Sequence, residues 1–225
     1  MPIPKKNKTE LRKSAKNIVY DTLCDWIISG ELLPGEKLSD TELAAYFEVS
    51  RTPVREALQM LENQNLIVVL PGRATIVSEI HRSDIEKCYL PLAEIQALAV
   101  KIATPKLTDN DISELEKTQQ QFFDACTSGY MDGITQCDER FHDIILNVAD
   151  NKYMTSFSHI LSLHIKRIRY HYFHYEAWRK QSAAQHHEIL NALKSRNAEQ
   201  ASELMRAHWL YVMNCCKHGI ETQKE

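Results

Sequence analysis

The chain has 225 residues, is 44% hydrophobic and 25% charged, and carries a net charge of −3. This is the profile of a folded soluble protein with one large or two smaller domains, and it excludes the whole-chain basic excess of a general nucleic-acid binder. The six cysteines form neither a CxxC pair nor a disulfide framework, and no apolar stretch resembles a signal-peptide core or the roughly 18 residues of a membrane span, so a reducing cytoplasm and no membrane partner are expected.

Residues 1–20 carry Lys5, Lys6, Lys8, Arg12, Lys13 and Lys16 against Glu10 alone, and 1–14 reads as a flexible basic tail. Such a tail either solubilises the chain or attracts phosphates. Val19, Leu23, Trp26 and Ile27 then follow a helical period that Gly30 stops. Pro34-Gly35 is a turn. Ser39-Asp40-Thr41-Glu42 is a capping-box pattern for a short helix containing Leu43, Ala44 and Phe47. Ser50 is positioned to cap a third helix, with Pro53 in its first turn, where a missing N–H costs nothing. Residues 66–70 and 74–77 are β-rich runs around Pro71-Gly72-Arg73, which predicts a hairpin.

Beyond residue 78 the pattern is helical throughout. Ser83-Asp84-Ile85-Glu86 is a second capping-box pattern, opening a helix to about Ala103 that Pro91 is expected to kink or break. Thr108 starts the next helix, which ends near Gly129. Further helices are predicted over 132–149, 152–173, 176–195 and 198–219. The expected class is mainly α. A winged helix-turn-helix with a small β-hairpin occupies 15–78, and an all-α bundle of six or seven helices occupies 79–225.

On the third helix Val54, Ala57, Leu58 and Leu61 share one face, while Arg51 and Arg55 lie four apart on another with Thr52 beside them. A helix start bearing exposed Ser50, Thr52 and arginines suits DNA, because its free N–H groups favour phosphate and Arg can fork onto guanine. Gly72 and Arg73 at the hairpin tip can reach the minor groove or backbone. Two such arginines also suit a plain solvated face.

Asp138 and His142 lie four apart on one helical side. His186 and His208 flank the break at 195–197 almost symmetrically, so an antiparallel hairpin places them side by side, each about 15 Å from the turn. Three imidazoles and a carboxylate on facing helices make a divalent-metal site, with Zn or Ni as the ions that fit. The same spacing is compatible with ordinary core histidines. His187, beside His186, faces another way. His159, His164, His171 and His174 do not assemble one face, and they read as packing and surface residues.

Residues 18–78 resemble the DNA-binding domain of the GntR regulator family. The carrying residues are 28–30, Leu33-Pro34-Gly35-Glu36-Lys37-Leu38, Glu42-Leu43-Ala44, Val49-Ser50-Arg51-Thr52-Pro53-Val54-Arg55-Glu56-Ala57-Leu58, Leu61-Glu62, Leu66-Ile67 and Gly72. The resemblance implies operator contacts at Arg51, Thr52 and Arg55 and minor-groove entry near Gly72. Some members carry an Arg at the position of Thr41, which here can bond a phosphate but cannot fork onto guanine. Residues 83–212 resemble the FCD-type ligand-binding domain of the FadR subgroup, on Asp138, Phe141-His142, Asn151, His186, Ile189-Leu190, Ala192-Leu193, Ala201, Met205-Arg206-Ala207 and His208. In metal-binding members an Asp and three His at these positions hold a divalent metal below the effector cavity. An Arg and a Glu common in the first helix of that domain are replaced here by Leu92 and Gln96. An acidic effector would therefore need another cation, such as Arg140 or Arg169.

What this implies is a homodimeric transcription regulator, a repressor by expectation, on a palindromic double-stranded operator. Its metal-assisted site would take a small carboxylate-bearing effector. A metal-free pocket for a larger ligand such as an acyl thioester is the alternative, and a metallohydrolase is a more distant one.

Overall fold

The computed structural model describes residues 14–70, 72, 74–173 and 175–222. The tail before Ser14 and the expected contact Arg73 lie outside the described residues, as does His174. The chain divides into two compact units between Glu79 and Ile80.

The first unit runs α1 (Ala15–Ser29), β1 (Lys37–Leu38), α2 (Asp40–Tyr46), α3 (Arg51–Asn63), β2 (Ile67–Leu70) and β3 (Ala74–Val77). Gly30 ends α1 with a φ of 77°, the left-handed conformation that glycine adopts without strain. Ser39 opens α2 by accepting the Glu42 N–H at 3.3 Å. Val19, Leu23 and Ile27 of α1 meet Val54, Ala57, Leu58 and Leu61 of α3 in a small core closed by Leu66, Ile67 and Val77. The hairpin pairs Leu70 with Ala74 and Ile67 with Val77. One strand escaped the sequence reading: β1 pairs antiparallel with β3, giving a sheet in the order β1-β3-β2. Two residues after a Pro-Gly turn are too few to show alternation, so only the neighbouring strand reveals them.

The second unit contains, among the described residues, six helices: α4 (Arg82–Ala103), α5 (Asp109–Ser128), α6 (Met131–Ala149), α7 (Lys152–Tyr172), α8 (Glu176–Lys194) and α9 (Ala198–Thr222). Helix α4 packs along α9 and also meets α6 and α7, while α5 lies against α6 and α8. Their apolar stripes enclose Tyr89, Leu92, Phe141, Ile145, Ile189, Leu193, Met205 and Trp209. Arg196, in the α8–α9 turn, donates to the carbonyls of Thr104 (3.0 Å) and Leu107 (2.6 Å), tying that turn to the α4–α5 turn.

Three local expectations are corrected. Helix α4 starts earlier than Ser83, because Asp84 accepts the His81 N–H at 3.1 Å and makes His81 the cap. Helix α4 also runs unbroken through Pro91. The proline is exposed, so the Lys87 carbonyl it leaves unbonded lies on the wet side, while buried Tyr89, Leu92 and Ala93 hold the helix from the other. Ser50 stands at the N-cap of α3, but its side chain makes no capping bond.

Gly219 reports how tightly the bundle closes. A Cβ there would lie 2.3 Å from the Tyr172 carbonyl oxygen at the end of α7. Gly219→Ala is expected to cost about 1–3 kcal/mol, read as a lower urea midpoint at unchanged slope. A wild-type midpoint would mean that α9 does not approach α7 so closely in solution.

Candidate DNA-reading surface and candidate metal centre

In the first unit the buried face of α3 leaves Arg51, Thr52 and Arg55 exposed, as Ser50 is just before them. The two arginine side chains retain 53% and 63% of their exposure, so their own protein does not seal them. They are nonetheless engaged. Arg51 donates through Nη2 to both oxygens of Asp40, at 2.9 and 2.8 Å, and through Nε at 3.3 Å. Arg55 Nε donates to the same carboxylate at 2.7 Å. Asp40 is the first residue of α2, and the tight turn between α2 and α3 brings the two helix starts together. Hydrogen bonds from Arg51, then from Arg55, hold its carboxyl at about 2, below its ordinary value. Thr41, also exposed, donates to Asp40 Oδ1 at 3.3 Å. Gly72 sits at the exposed hairpin tip with a φ of 67° and open space where a Cβ would be.

In the second unit Asp138 and His142 come from α6, His186 from α8 and His208 from α9. All four are buried, and one ligand atom from each lies within 4.8 Å of the others. His186 Nε2 is 3.2 Å from His208 Nε2 and 3.5 Å from Asp138 Oδ1. Two nitrogens bound to one ion at about 2.1 Å, with coordination angles between octahedral and tetrahedral, stand roughly 3.0–3.4 Å apart, so the spacing fits a shared cation. The donor set fits as well. Asp138 Oδ1, both His142 ring nitrogens and His186 Nδ1 are buried without hydrogen-bond partners. Asp138 Oδ1 and one His142 nitrogen are the unpartnered acceptors that a shared cation would satisfy, whereas His186 Nδ1 lies on the ring edge away from the Nε2 that meets His208.

The surroundings favour neutral imidazoles. Burial, reinforced by the neighbouring histidines, lowers His186 well below its ordinary value and His208 to about 3; burial also lowers His142 against the pull of Asp138. His186 stacks on Phe122 and Phe141, with centroids 4.5 and 4.6 Å away, and His142 lies 4.7 Å from Trp209. His208 Nδ1 meets Gln185 Oε1 at 3.1 Å, a contact that directs Nε2 toward the cluster. Burial opposes ionisation of Asp138, yet the adjacent Arg169 guanidinium outweighs it and holds the carboxyl below its ordinary range. Arg169 Nη1 pairs with Asp138 Oδ2, and the two side chains are only 12% and 3% exposed.

Of the two cations expected near an effector, the structure brings only Arg169 to the cluster. Arg140 is corrected: its side chain is half-exposed and pairs with Glu114. Two residues from each ligand of α6, it points off the buried face. His187 likewise faces outward, into a surface groove of about 600 Å³ lined also by Gln119, Phe123 and Leu190, which contains none of the four cluster residues.

Residues 15–77 match the family described as bacterial regulatory proteins of the gntR family, and residues 92–210, more than half of the chain, match the FCD domain. The chain belongs to this family. Similar proteins include the transcriptional regulator YdhC of Bacillus subtilis, 26% identical over 92% of each chain, and the transcriptional repressor RspR of Escherichia coli, 26% identical over 84% of this chain and 83% of that one. The solved structure of McbR/YncC from E. coli has the same fold, with a TM-score of 0.77 at 23% identity over 95% of this chain and all of the other. The protein is therefore a transcriptional regulator of the GntR family with an FCD domain, not an enzyme, and its family implies DNA binding. No helix among the described residues is long and apolar enough to cross a membrane.

Sequence reasoning missed the residues that flank this regulator's two candidate sites. Asp40 counted only as part of a cap, although it precedes the arginines by 11 and 15 residues across a turn that brings them together. Gln185, Phe122 and Trp209 carry no spacing signal, because each reaches the cluster from a different helix. The Asp138–Arg169 pair carries a clear expectation. Asp138→Ala leaves a buried guanidinium unpaired and should cost about 3 kcal/mol in chelator-treated protein, partly recovered by adding Arg169→Met. A single variant as stable as wild type would show that the pair is not held dry.

Proposed function

We propose that the regulator binds a palindromic operator as a homodimer and represses until a small carboxylate-bearing metabolite occupies the second unit beside a divalent metal. The observation that carries this reading is the buried Asp138–His142–His186–His208 cluster, in which one possible ligand atom from each residue lies within 4.8 Å of the others, with Arg169 alongside. Asp138 Oδ1 and one nitrogen from each histidine would hold the ion, and Zn or Ni suits three imidazoles and a carboxylate. The ion supplies positive charge to which an anionic effector can ligate. Arg169 adds a second cation in the same dry surroundings, the role for which the first helix offers only Leu92 and Gln96, both buried. Neutral imidazoles need no deprotonation to bind a metal at neutral pH.

In the first unit Arg51, Thr52, Arg55, Ser50, Thr41 and Gly72 form the DNA-facing set. Two-fold symmetry in the dimer would be matched by an inverted repeat in the operator. The effector must bind the DNA-competent and incompetent arrangements unequally, since equal affinity shifts nothing. That RspR is named a repressor supports repression as the outcome.

Elemental analysis of protein purified without chelator should find close to one divalent metal per subunit, and His186→Ala should lose it while DNA binding persists. Less than about 0.2 metal per subunit would favour a metal-free pocket for a larger ligand, such as an acyl thioester. A thermal-shift screen of small carboxylates should find stabilisation that needs both the metal and Arg169, of about 2.7 kcal/mol at 100 times Kd. A hit unaffected by Arg169→Met would remove that residue from effector binding. On the DNA side, Arg55→Ala should weaken operator binding by about 1–3 kcal/mol in a salt-controlled titration.

A further inference from the structure

Asp40 is an unexpected residue to find at a DNA-facing surface. Its carboxylate repels phosphate, yet it stands at the start of α2 in contact with both arginines of α3. It does not treat them alike. Arg51 gives up two of its three nitrogens, Nε and Nη2, with Nη2 touching both carboxylate oxygens. Arg55 gives up only Nε. A bidentate contact to guanine O6 and N7 needs two guanidinium nitrogens with hydrogens to spare. Arg55 keeps both Nη groups clear of Asp40, whereas Arg51 keeps only Nη1.

We propose that Asp40 is a specificity-setting positioning residue that fixes Arg51 as a phosphate contact and leaves Arg55 as the arginine that reads a base. This rests on the DNA-binding reading above. The carboxylate sets the planes of both guanidinium groups before DNA arrives, so less orientational freedom is lost on binding. Its negative charge also weakens attachment to DNA of the wrong sequence, because non-specific binding is almost wholly electrostatic. Asp40 thus trades backbone affinity for discrimination. Thr41, donating to the same carboxylate, braces it from the α2 side.

The test uses the full chain and a library of duplexes with a randomised core, sequenced after successive rounds of selection, together with salt titrations on the unselected library. Wild type should enrich a motif containing a guanine. Arg55→Lys should erase the preference at that guanine. Arg51→Lys should keep the motif, since an ammonium serves a phosphate nearly as well. Asp40→Asn, whose folding is checked by circular dichroism, should blur the motif and bind the unselected library roughly fivefold more tightly at low salt. Loss of the guanine in Arg51→Lys, alone or together with Arg55→Lys, would overturn the division of roles. An unchanged motif and unchanged library affinity in Asp40→Asn would overturn the role of Asp40. Failure of the wild type to enrich any motif would instead overturn the DNA-binding reading itself, and this proposal with it.

Discussion

An ionised carboxylate almost wholly removed from water is the constraint around which the second unit is organised. Asp138 can stay charged there because the Arg169 guanidinium lies against it. The three imidazoles around it are themselves buried and in turn have to be accommodated. His186 stacks on Phe122 and Phe141, His142 lies against Trp209, and His208 has Gln185. A polar group enclosed in an apolar bundle costs several kcal/mol if unpaired, so these contacts specify how α5, α6, α7, α8 and α9 come together around the cluster. Asp138 Oδ1 and the His142 ring nitrogens are left without hydrogen-bond partners, which is what the proposed metal would satisfy.

The same pair of groups, a carboxylate and a guanidinium, recurs at the exposed surface of the first unit with the opposite energetic character. The Asp40 contacts to Arg51 and Arg55 lie in water, where such pairs contribute little to stability. Their value lies in orientation, because a forked donor held at a known angle is worth more to recognition than one that must be ordered on contact. Burial therefore makes the Asp138–Arg169 pair a structural element, whereas exposure confines the Asp40 contacts to orienting the two guanidinium groups.

These two environments suit the two tasks of a one-component regulator. Sequence reading at a duplex needs charges in water that are held at a set angle and keep donors to spare. Recognition of a small anion needs charges held dry, where electrostatic attraction is strong and a wrong ligand leaves buried groups unpaired. Helix α3 meets the first need by turning Val54, Ala57, Leu58 and Leu61 inward. In the proposed reading, helices α6, α8 and α9 meet the second by turning their histidines inward.

Much of this was determined by the sequence alone. Apolar periodicity, caps and turn residues are local, so the elements of both units follow from them, as do the exposed arginines of α3 and the histidine spacings along α6, α8 and α9. The strand at Lys37 was not legible, because two residues carry no period, and the continuity of α4 through Pro91 was not, because it depends on which side of the helix meets water. Only the tertiary structure decided that Arg169 rather than Arg140 joins the cluster, that His186 and His208 stand 3.2 Å apart, and that Asp40 grips both arginines unequally. Spacing along a chain states which face of a helix a residue occupies. It does not state what another helix brings opposite that face, and contact between helices is what sets burial, charge and partner.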